Sequence, residues 1–373
     1  MRKATVKRAE FPAGRRVIAL SDIHGNLPFL KGLLKKIGFG REDILVIVGD
    51  LLEKGLYSLD TLRYVMELSR THTVYTLCGN CDNLLRDFLA TGGERDERFF
   101  RLYYQVWKRR SLLWQLCAEA GLPVERVEDL AAARRVLPER FRAELDFLWA
   151  MPTVLLTDRY LFVHGGVPRE DRLEELDAWA CMKNDNFLTQ GYRFDRWLIV
   201  GHQPVTLYHP HVPCAAPIVD RDAHIVSIDG GCVLKADGQL NALFLPGEEG
   251  GDFTWTAYDG MPVMTALDRQ EGSRDSVNIR WGRSAVEVLE RGAELTLCRH
   301  LETGRVLPIL NDYLYEKDGA TLCQDSTDCV LDVAAGERLS VVRRLSDRTL
   351  AKKKGVTGWY FGRLAEGPEK DGK

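Results

Sequence analysis

VIALSDIHGN, residues 17–26, and ILVIVGDLLEKG, residues 44–55, share one design: a short, nearly continuous apolar run that stops abruptly at a polar loop containing glycine. Apolar runs of this length, bounded by turn signals, suit strands covered on both faces. Between the two, Leu27 to Ile37 has helical spacing, and Ser58 to Ser69 followed by Thr73 to Leu77 repeats the alternation. Strand, helix, strand, helix, strand predicts an α/β unit with a parallel sheet. In such sheets, binding and chemistry gather on the loops at one strand edge.

Working outward, Asn83 to about Trp149 turns helical and is expected to be an insertion, residues 83–149, whose aromatics Phe99, Phe100, Tyr103, Tyr104, Trp107 and Trp114 pack helix on helix. Strand signals return at Val154 to Leu156, Tyr160 to Val163, Trp197 to Val200 and Ile225 to Ile228. Val233 to Lys235 and Leu240 to Phe244 flank Ala236-Asp237-Gly238, which predicts an antiparallel hairpin. The stretch PGEEGGDFTWTAYDG, residues 246–260, is rich in glycine and acid and reads as a boundary, giving expected domains at 1–262 and 275–373. Beyond it the pattern is all-β. Gly292, Leu295, Leu297, Arg299 and Leu301 recur as Gly336, Leu339, Val341, Arg343 and Leu345, a weak internal repeat. AAGERLSVVRRLSDRTLAKKKGVTGWYFGRL, residues 334–364, resembles the core of bacterial SH3-like barrels, which implies a small domain able to meet a peptide or the rest of its own chain.

The bulk numbers limit the function classes. With 373 residues, 45% of them hydrophobic, there is enough chain for two cores. Fifty-one basic residues against 54 acidic ones give no global electrostatic case for nucleic acid or membrane. The basic start MRKATVKRAEFPAGRRVIAL has an apolar run of only four residues before Ser21 and Asp22, too short for a secretion signal, and nowhere do about eighteen apolar residues run together. Nine dispersed cysteines fit a reducing compartment, so the expectation is a cytoplasmic protein with cysteines in its core.

Asp22-Ile23-His24 follows the first strand, so one turn can present a carboxylate and an imidazole to the same point. Alone, that pair is as well explained by a loop cap. Gly49-Asp50 follows the second strand and Gly79-Asn80 the third; each is also an ordinary turn dipeptide. Val163-His164-Gly165-Gly166 and Val200-Gly201-His202 repeat the design later. Five strand ends carrying ligand-type residues point to a shared metal centre. Carboxylate, amide and imidazole together suit manganese, iron, cobalt or zinc rather than calcium.

Through SDIHGN at 21–26, GDLLEKG at 49–55, GNCD at 79–82, FVHGG at 162–166 and VGHQP at 200–204, residues 15 to 245 resemble the calcineurin-like metallophosphoesterases. They are most similar to the phosphoprotein phosphatase branch, which includes bacterial enzymes acting on proteins or on dinucleoside polyphosphates. The resemblance implies a helix-flanked β-sandwich, layered α/β/β/α, and a metal-dependent phosphatase acting on a phosphorylated protein or small nucleotide. It further implies two divalent ions: Asp22 and His24 on one, Asn80, His164 and His202 on the other, Asp50 bridging, and a water between the ions that attacks phosphorus. Many relatives end this motif Gly-His-x-His. Here Pro204 takes the last place, as in the phosphatase branch, while His209 and His211 read as surface residues.

Three positions depart from that pattern. Cys81 stands where the branch has the histidine that protonates the leaving oxygen. Glu53 replaces an aspartate that orients it, and Lys54 an arginine that grips phosphate; an exposed ion pair is the equal alternative for Glu53 and Lys54. Lys183 is a weaker candidate for a second cation. Cys78 and Cys81 also spell Cys-x-x-Cys, but without a second pair this carries no zinc site. A missing general acid matters little when the leaving group is already a stable anion, so phosphoanhydrides, aryl phosphates or phosphotyrosine are expected before phosphoserine. Two rival readings are a phosphodiesterase and a degenerate esterase that only holds phosphorylated partners.

Overall fold

The computed structural model describes residues 2–93, 95–247 and 250–365. The chain divides into two compact units: Met1–Gln203 with Pro217–Leu234 and Gln239–Tyr258, and Pro204–Ala216 with Lys235–Gly238 and Asp259–Lys373.

The strands of the larger unit are β1 (Val6–Arg8), β2 (Val17–Leu20), β3 (Ile44–Ile47), β4 (Thr73–Thr76), β5 (Val154–Leu156), β6 (Tyr160–Val163), β7 (Trp197–Val200), β8 (Ile218–Asp220), β9 (Ile225–Ser227), β10 (Leu240–Phe244) and β11 (Thr254–Tyr258). They form two sheets, ordered β11-β10-β2-β3-β4 and β1-β5-β6-β7-β9-β8. The expected parallel pairing holds, with Val17 opposite Ile44 and Ile44 opposite Thr73. Helices α1 (Leu27–Lys36) and α2 (Ser58–Thr71) make the crossovers. The loop bearing Asp22 and His24 ends at Asn26, whose side chain accepts from Phe29 N and caps α1.

Strand alternation explains the layering. Ile18 and Leu20 of β2 pack with Leu30, Leu33 and Leu62 of the helices, whereas Val17 and Ala19 pack with Phe162, Ile199 and Val226 of the other sheet. On the far side, Leu161, Val163 and Leu198 pack under Leu173 and Phe187. The result is a mixed α/β fold, two sheets face to face with helices outside, as the sequence predicts. The insertion is helical too: α3 (Leu84–Ala90), α4 (Asp96–Phe100), a π-helical turn (Arg101–Trp107), α5 (Leu112–Ala120), α6 (Leu130–Arg140) and α7 (Arg142–Ala150). Phe88 of α3 meets Phe99 of α4 edge-on, a contact of helix on helix, while Phe99, Tyr103 and Trp107 contact one another along a single helical stretch.

The predicted hairpin is wrong. Val233 has a φ of 68°, and Cys232 to Asp237 forms turns rather than a strand. β10 instead pairs antiparallel with β2 on one side and β11 on the other. Its partner therefore comes from the stretch read as a boundary: the apolar half of 246–260 is an edge strand. Glu248 and Glu249 of that stretch lie outside the described residues.

The smaller unit is all-β apart from short single turns. Five strands, Val356–Tyr360, Thr349–Lys353, Arg338–Arg344, Val263–Ala266 and Leu364–Ala365, form one antiparallel sheet in that order. A three-stranded sheet joins Val286–Arg291, Leu295–His300 and Val306–Leu310. Trp359 and Tyr360 point to opposite faces of their strand, into two separate cores, with Trp359 Nε1 donating to Thr327 O at 2.8 Å and Tyr360 OH to Asp268 O at 2.7 Å. Residues 366–373 of the expected C-terminal domain lie outside the described residues. Among the described residues, no helix is long and apolar enough to cross a membrane. All nine cysteines are free, and all but Cys214 are buried.

Candidate metal centre

The loops that follow β2 and β3 run side by side as an extension of the sheet. Asp22 N donates to Gly49 O at 3.0 Å, His24 N to Asp50 O at 2.9 Å and Gly25 N to Leu51 O at 2.8 Å. Asn80 follows β4 in the same sheet, while His164 and His202 follow β6 and β7 in the other. Two bonds tie the sheets together at this edge: His202 N to Asp22 Oδ2 at 3.0 Å, and His164 Nδ1 to Val48 O at 2.8 Å.

Presenting these side chains strains the backbone. Asp22, His24, Asp50, Glu53, Lys54 and His202 all have φ between 49° and 72°, in the left-handed region that non-glycine residues avoid. Each such residue costs about 1–3 kcal/mol and persists only where its surroundings over-determine it. Neighbouring glycines allow the approach. A Cβ on Gly79 would lie 2.2 Å from Asp50 Oδ1, and one on Gly201 2.4 Å from Asp22 Oδ2.

Both central histidines are oriented by backbone carbonyls. A carbonyl can only accept, so Nδ1–H of His164 donates to Val48 O, and Nδ1–H of His24 to Leu52 O at 3.3 Å. Their Nε2 atoms then face carboxylates: His164 Nε2 is 3.3 Å from Asp50 Oδ1, and His24 Nε2 is 3.7 Å from Asp50 Oδ2 and 3.8 Å from Asp22 Oδ1. Asp50 thus stands between the two rings. Burial works against every charge here. Burial, with Lys54 alongside, pushes His24 down to about 3, and burial, with His164 alongside, pushes His202 down to about 4. Burial also lifts the Asp22 carboxyl to about 6. His164 resists burial because Asp50 and Asp22 press on it, and it is pushed up to about 10.

The remaining predicted residues divide. Lys54 is turned inward, with Nζ 3.4 Å from His24 Nε2, and is no exposed ion pair; burial opposes its charge, but Cys81, Asp50 and Asp22 hold its pKa above the ordinary lysine value. The Cys81 sulfur lies with one ligand atom each of His24 and Asp50, all within 4.8 Å of one another, and Cys81 N donates to Asp50 Oδ1 at 2.8 Å. Burial, with Asp50 beside it, raises that thiol well above its usual range. Glu53 faces the insertion instead: Oε2 accepts from Leu112 N at 3.1 Å, at the start of α5. Lys183 pairs with Asp185 and sits 3.3 Å from His202 Nε2. His211 is exposed, with Nδ1 3.3 Å from Ser276 O.

Sequence reasoning passed over three carboxylates. Asp185 Oδ1 lies 2.8 Å from His202 Nε2 and fixes that ring. Asp82 accepts from Leu52 N at 3.1 Å and Gly79 N at 2.8 Å, locking two loops together. Asp229, just past β9, is fully buried; its Oδ1 accepts from Gly231 N at 2.8 Å. The strand-then-acid pattern that marked Asp50 also marks Asp229, but Asp-Gly-Gly reads first as a turn.

These groups fit divalent cations. Asp22 Oδ1, Asn80 Oδ1 and Asp229 Oδ2 are buried with no hydrogen-bond partner among the described residues. Five carboxyls, Asp22, Asp50, Glu53, Asp82 and Asp229, are buried together here; Asp50 and Asp22 hold a proton on His164, and burial drives Glu53, Asp82 and Asp229 toward their neutral forms, charge that a divalent cation would restore. Hard oxygen and imidazole nitrogen donors suit a first-row divalent ion.

The asymmetrical bis(5′-nucleosyl)-tetraphosphatase PrpE of Halalkalibacterium halodurans is 25% identical over 252 residues, covering 61% of this chain and 89% of that one. Its counterpart from Oceanobacillus iheyensis is 23% identical over 260 residues, covering 63% and 90%. Among solved structures, a protein serine/threonine phosphatase of Saccharomyces cerevisiae matches with a TM-score of 0.40 and 11% identity over 69% of this chain and 84% of that one. A cold-active protein-tyrosine phosphatase of a Shewanella species matches at 0.41 and 14% identity, over 69% and 83%. Residues 15–227, more than half of the chain, match the family model described as calcineurin-like phosphoesterase, and the chain belongs to that family of metallophosphoesterases.

Proposed function

We propose that this hydrolase cleaves a phosphomonoester or phosphoanhydride at a dinuclear centre, in which Asp22 and His24 hold one divalent ion, Asn80, His164 and His202 the other, and Asp50 both. The observation that carries this reading is the pair of partnerless buried oxygens, Asp22 Oδ1 and Asn80 Oδ1, beside two imidazoles whose Nε2 atoms are turned toward Asp50. When bound, two such ions would acidify a water and neutralise phosphoryl oxygens.

The chain's own residues supply the rest. Lys54, charged and facing the His24 edge, offers one cation to a phosphoryl oxygen. Asp185 and the two carbonyls hold the three imidazoles in place without moving protons. In the metal-free chain burial keeps Cys81 a neutral thiol, a weak donor, and a leaving group that departs with little protonation suits it. This favours phosphoanhydrides and aryl phosphates, a preference in keeping with the tetraphosphatases among its relatives. The first metal to try is manganese. Cys81 also keeps a phosphodiesterase reading open, and faster turnover of a bis-aryl than a mono-aryl phosphate would favour it. Nine free cysteines support a cytoplasmic setting. The antiparallel strands around Trp359 support an SH3-like assignment for the domain proposed at 275–373, beside a catalytic domain at 1–262.

The test is p-nitrophenyl phosphate hydrolysis by chelator-stripped protein with manganese restored, alongside Asp50→Asn. Activity is expected to need metal and to fall at least about a hundredfold in the variant. Inactivity with ions bound would point to a phospho-ligand binding role instead.

A further inference from the structure

Strands β6, β7 and β9 are adjacent and parallel, with Tyr160 opposite Trp197 and Leu198 opposite Ile225. Their C-terminal ends bear His164, His202 and Asp229, and the ladder continues to the residue before Asp229, where Ile228 N donates to Val200 O at 3.0 Å. Asp229 therefore occupies on the third strand the place that the two histidines occupy on the first two. The charges acting on it are those of Asp22, His164 and Lys54, all members of the centre.

Its hydrogen bonds separate it from a structural acid. Asp82 has both oxygens fixed by backbone N–H groups. Asp22 has one oxygen fixed by His202 N and the other without a partner. Asp229 follows the second pattern: Gly231 N fixes Oδ1, and Oδ2 is fully buried without a partner. A buried oxygen left this way bears its desolvation cost without a compensating bond, and a further carboxylate among the acids of the centre adds repulsion that a proton or a cation relieves. Under the assignment above, one ion has Asp22, His24 and Asp50 while the other has Asp50, Asn80, His164 and His202. The first lacks the fourth protein ligand that the second has.

Resting on that dinuclear reading, we propose that Asp229 is a further ligand of the centre, supplying Oδ2 to the ion held by Asp22 and His24. The experiment is a manganese titration of chelator-stripped protein with elemental analysis of bound metal, for wild type, Asp229→Asn and Asp22→Asn. Asp229→Asn can keep the Oδ1 bond to Gly231 N while an NH2 group, which cannot ligate a cation, replaces Oδ2 and the charge is lost. One of two ions is expected to bind about 10–100-fold more weakly in Asp229→Asn while the other is unchanged. The rise in melting temperature on adding manganese is expected to shrink. Two ions bound within twofold of wild-type affinity would overturn the inference. Should Asp229→Asn not fold, Asp229→Ala is read the same way. If Asp22→Asn loses an ion and Asp229→Asn does not, only this inference fails. If neither variant changes binding, the dinuclear reading fails with it.

Discussion

At the scale of single residues, Cys81 and Glu53 behave differently although both are buried beside Lys54. The Cys81 thiol is held neutral, so an aryl leaving group should not depend on it: Cys81→Ala is expected to turn over p-nitrophenyl phosphate within about threefold of wild type. A fall of tenfold or more would make the sulfur a ligand or donor in its own right. Glu53 is pushed up to about 8 by burial, from an ordinary 4.5. The folded chain then holds a proton that the unfolded chain releases, so this contribution to stability is full below about pH 4.5 and is lost as the pH rises through about 8. In metal-free protein, Glu53→Gln is expected to be more stable to unfolding than wild type near pH 9, by roughly 1–4 kcal/mol, and to match it near pH 5. Equal offsets at both pH values would mean that the carboxyl is not protonated in the fold. The six ligand candidates stand out in the sequence because each is local: an apolar run, then a ligand-type side chain in a loop that contains glycine. Asp185 and Leu112 do not, because nothing near them in sequence announces His202 or Glu53 as a partner.

Among elements, α2 and the insertion hold the loop that carries Glu53 and Lys54. Leu59 N, at the start of α2, donates to Gln115 Oε1 at 2.8 Å, and Gln115 Nε2 donates to Arg109 O at 2.8 Å and Leu56 O at 3.2 Å. Arg63 of α2 pairs with Glu119 of α5 and Glu144 of α7. One side chain from the insertion thus fixes both ends of the turn after Lys54. Gln115→Ala leaves Leu59 N, Arg109 O and Leu56 O to water or to nothing; we expect a loss of about 1–3 kcal/mol in thermal or urea unfolding. Because Lys54 rides on this turn, KM should rise several-fold more than kcat falls. A variant that loses stability with KM unchanged would confine the insertion to a structural role. The helical character of this segment was plain from its spacing, but its attachment was not. The mistaken hairpin has the same origin: Ala236-Asp237-Gly238 is a genuine turn signal, yet pairing is decided by which edge the sheet offers, and β2 with β11 took β10.

For the whole molecule, the consequence lies in how the two units share the chain. The smaller unit draws Pro204–Ala216 and Lys235–Gly238 from inside the sequence of the larger. Asn278 Nδ2 donates to His209 O at 2.7 Å, Ala215 N to Gly355 O at 2.8 Å, Thr357 N to Pro213 O at 3.0 Å and Thr357 Oγ1 to Asp237 Oδ2 at 2.6 Å. No compositional shift marks either segment, so a linear reading places one cut in the chain where the fold needs several. Ending the chain after Tyr258 removes no predicted ligand, and if the domains were beads on a string it would leave a working enzyme. Instead it strips the strands from Pro204–Ala216, a segment that begins two residues after His202 and would be left without the backbone partners it has in the intact fold. Buried polar backbone deprived of partners is costly. The truncated protein is therefore expected to lose at least tenfold in phosphatase activity, and its unfolding to become broader and to start at a lower temperature, when compared with the full chain under saturating manganese. Full activity with an unchanged melting profile would show that the two segments are carried by the larger unit after all.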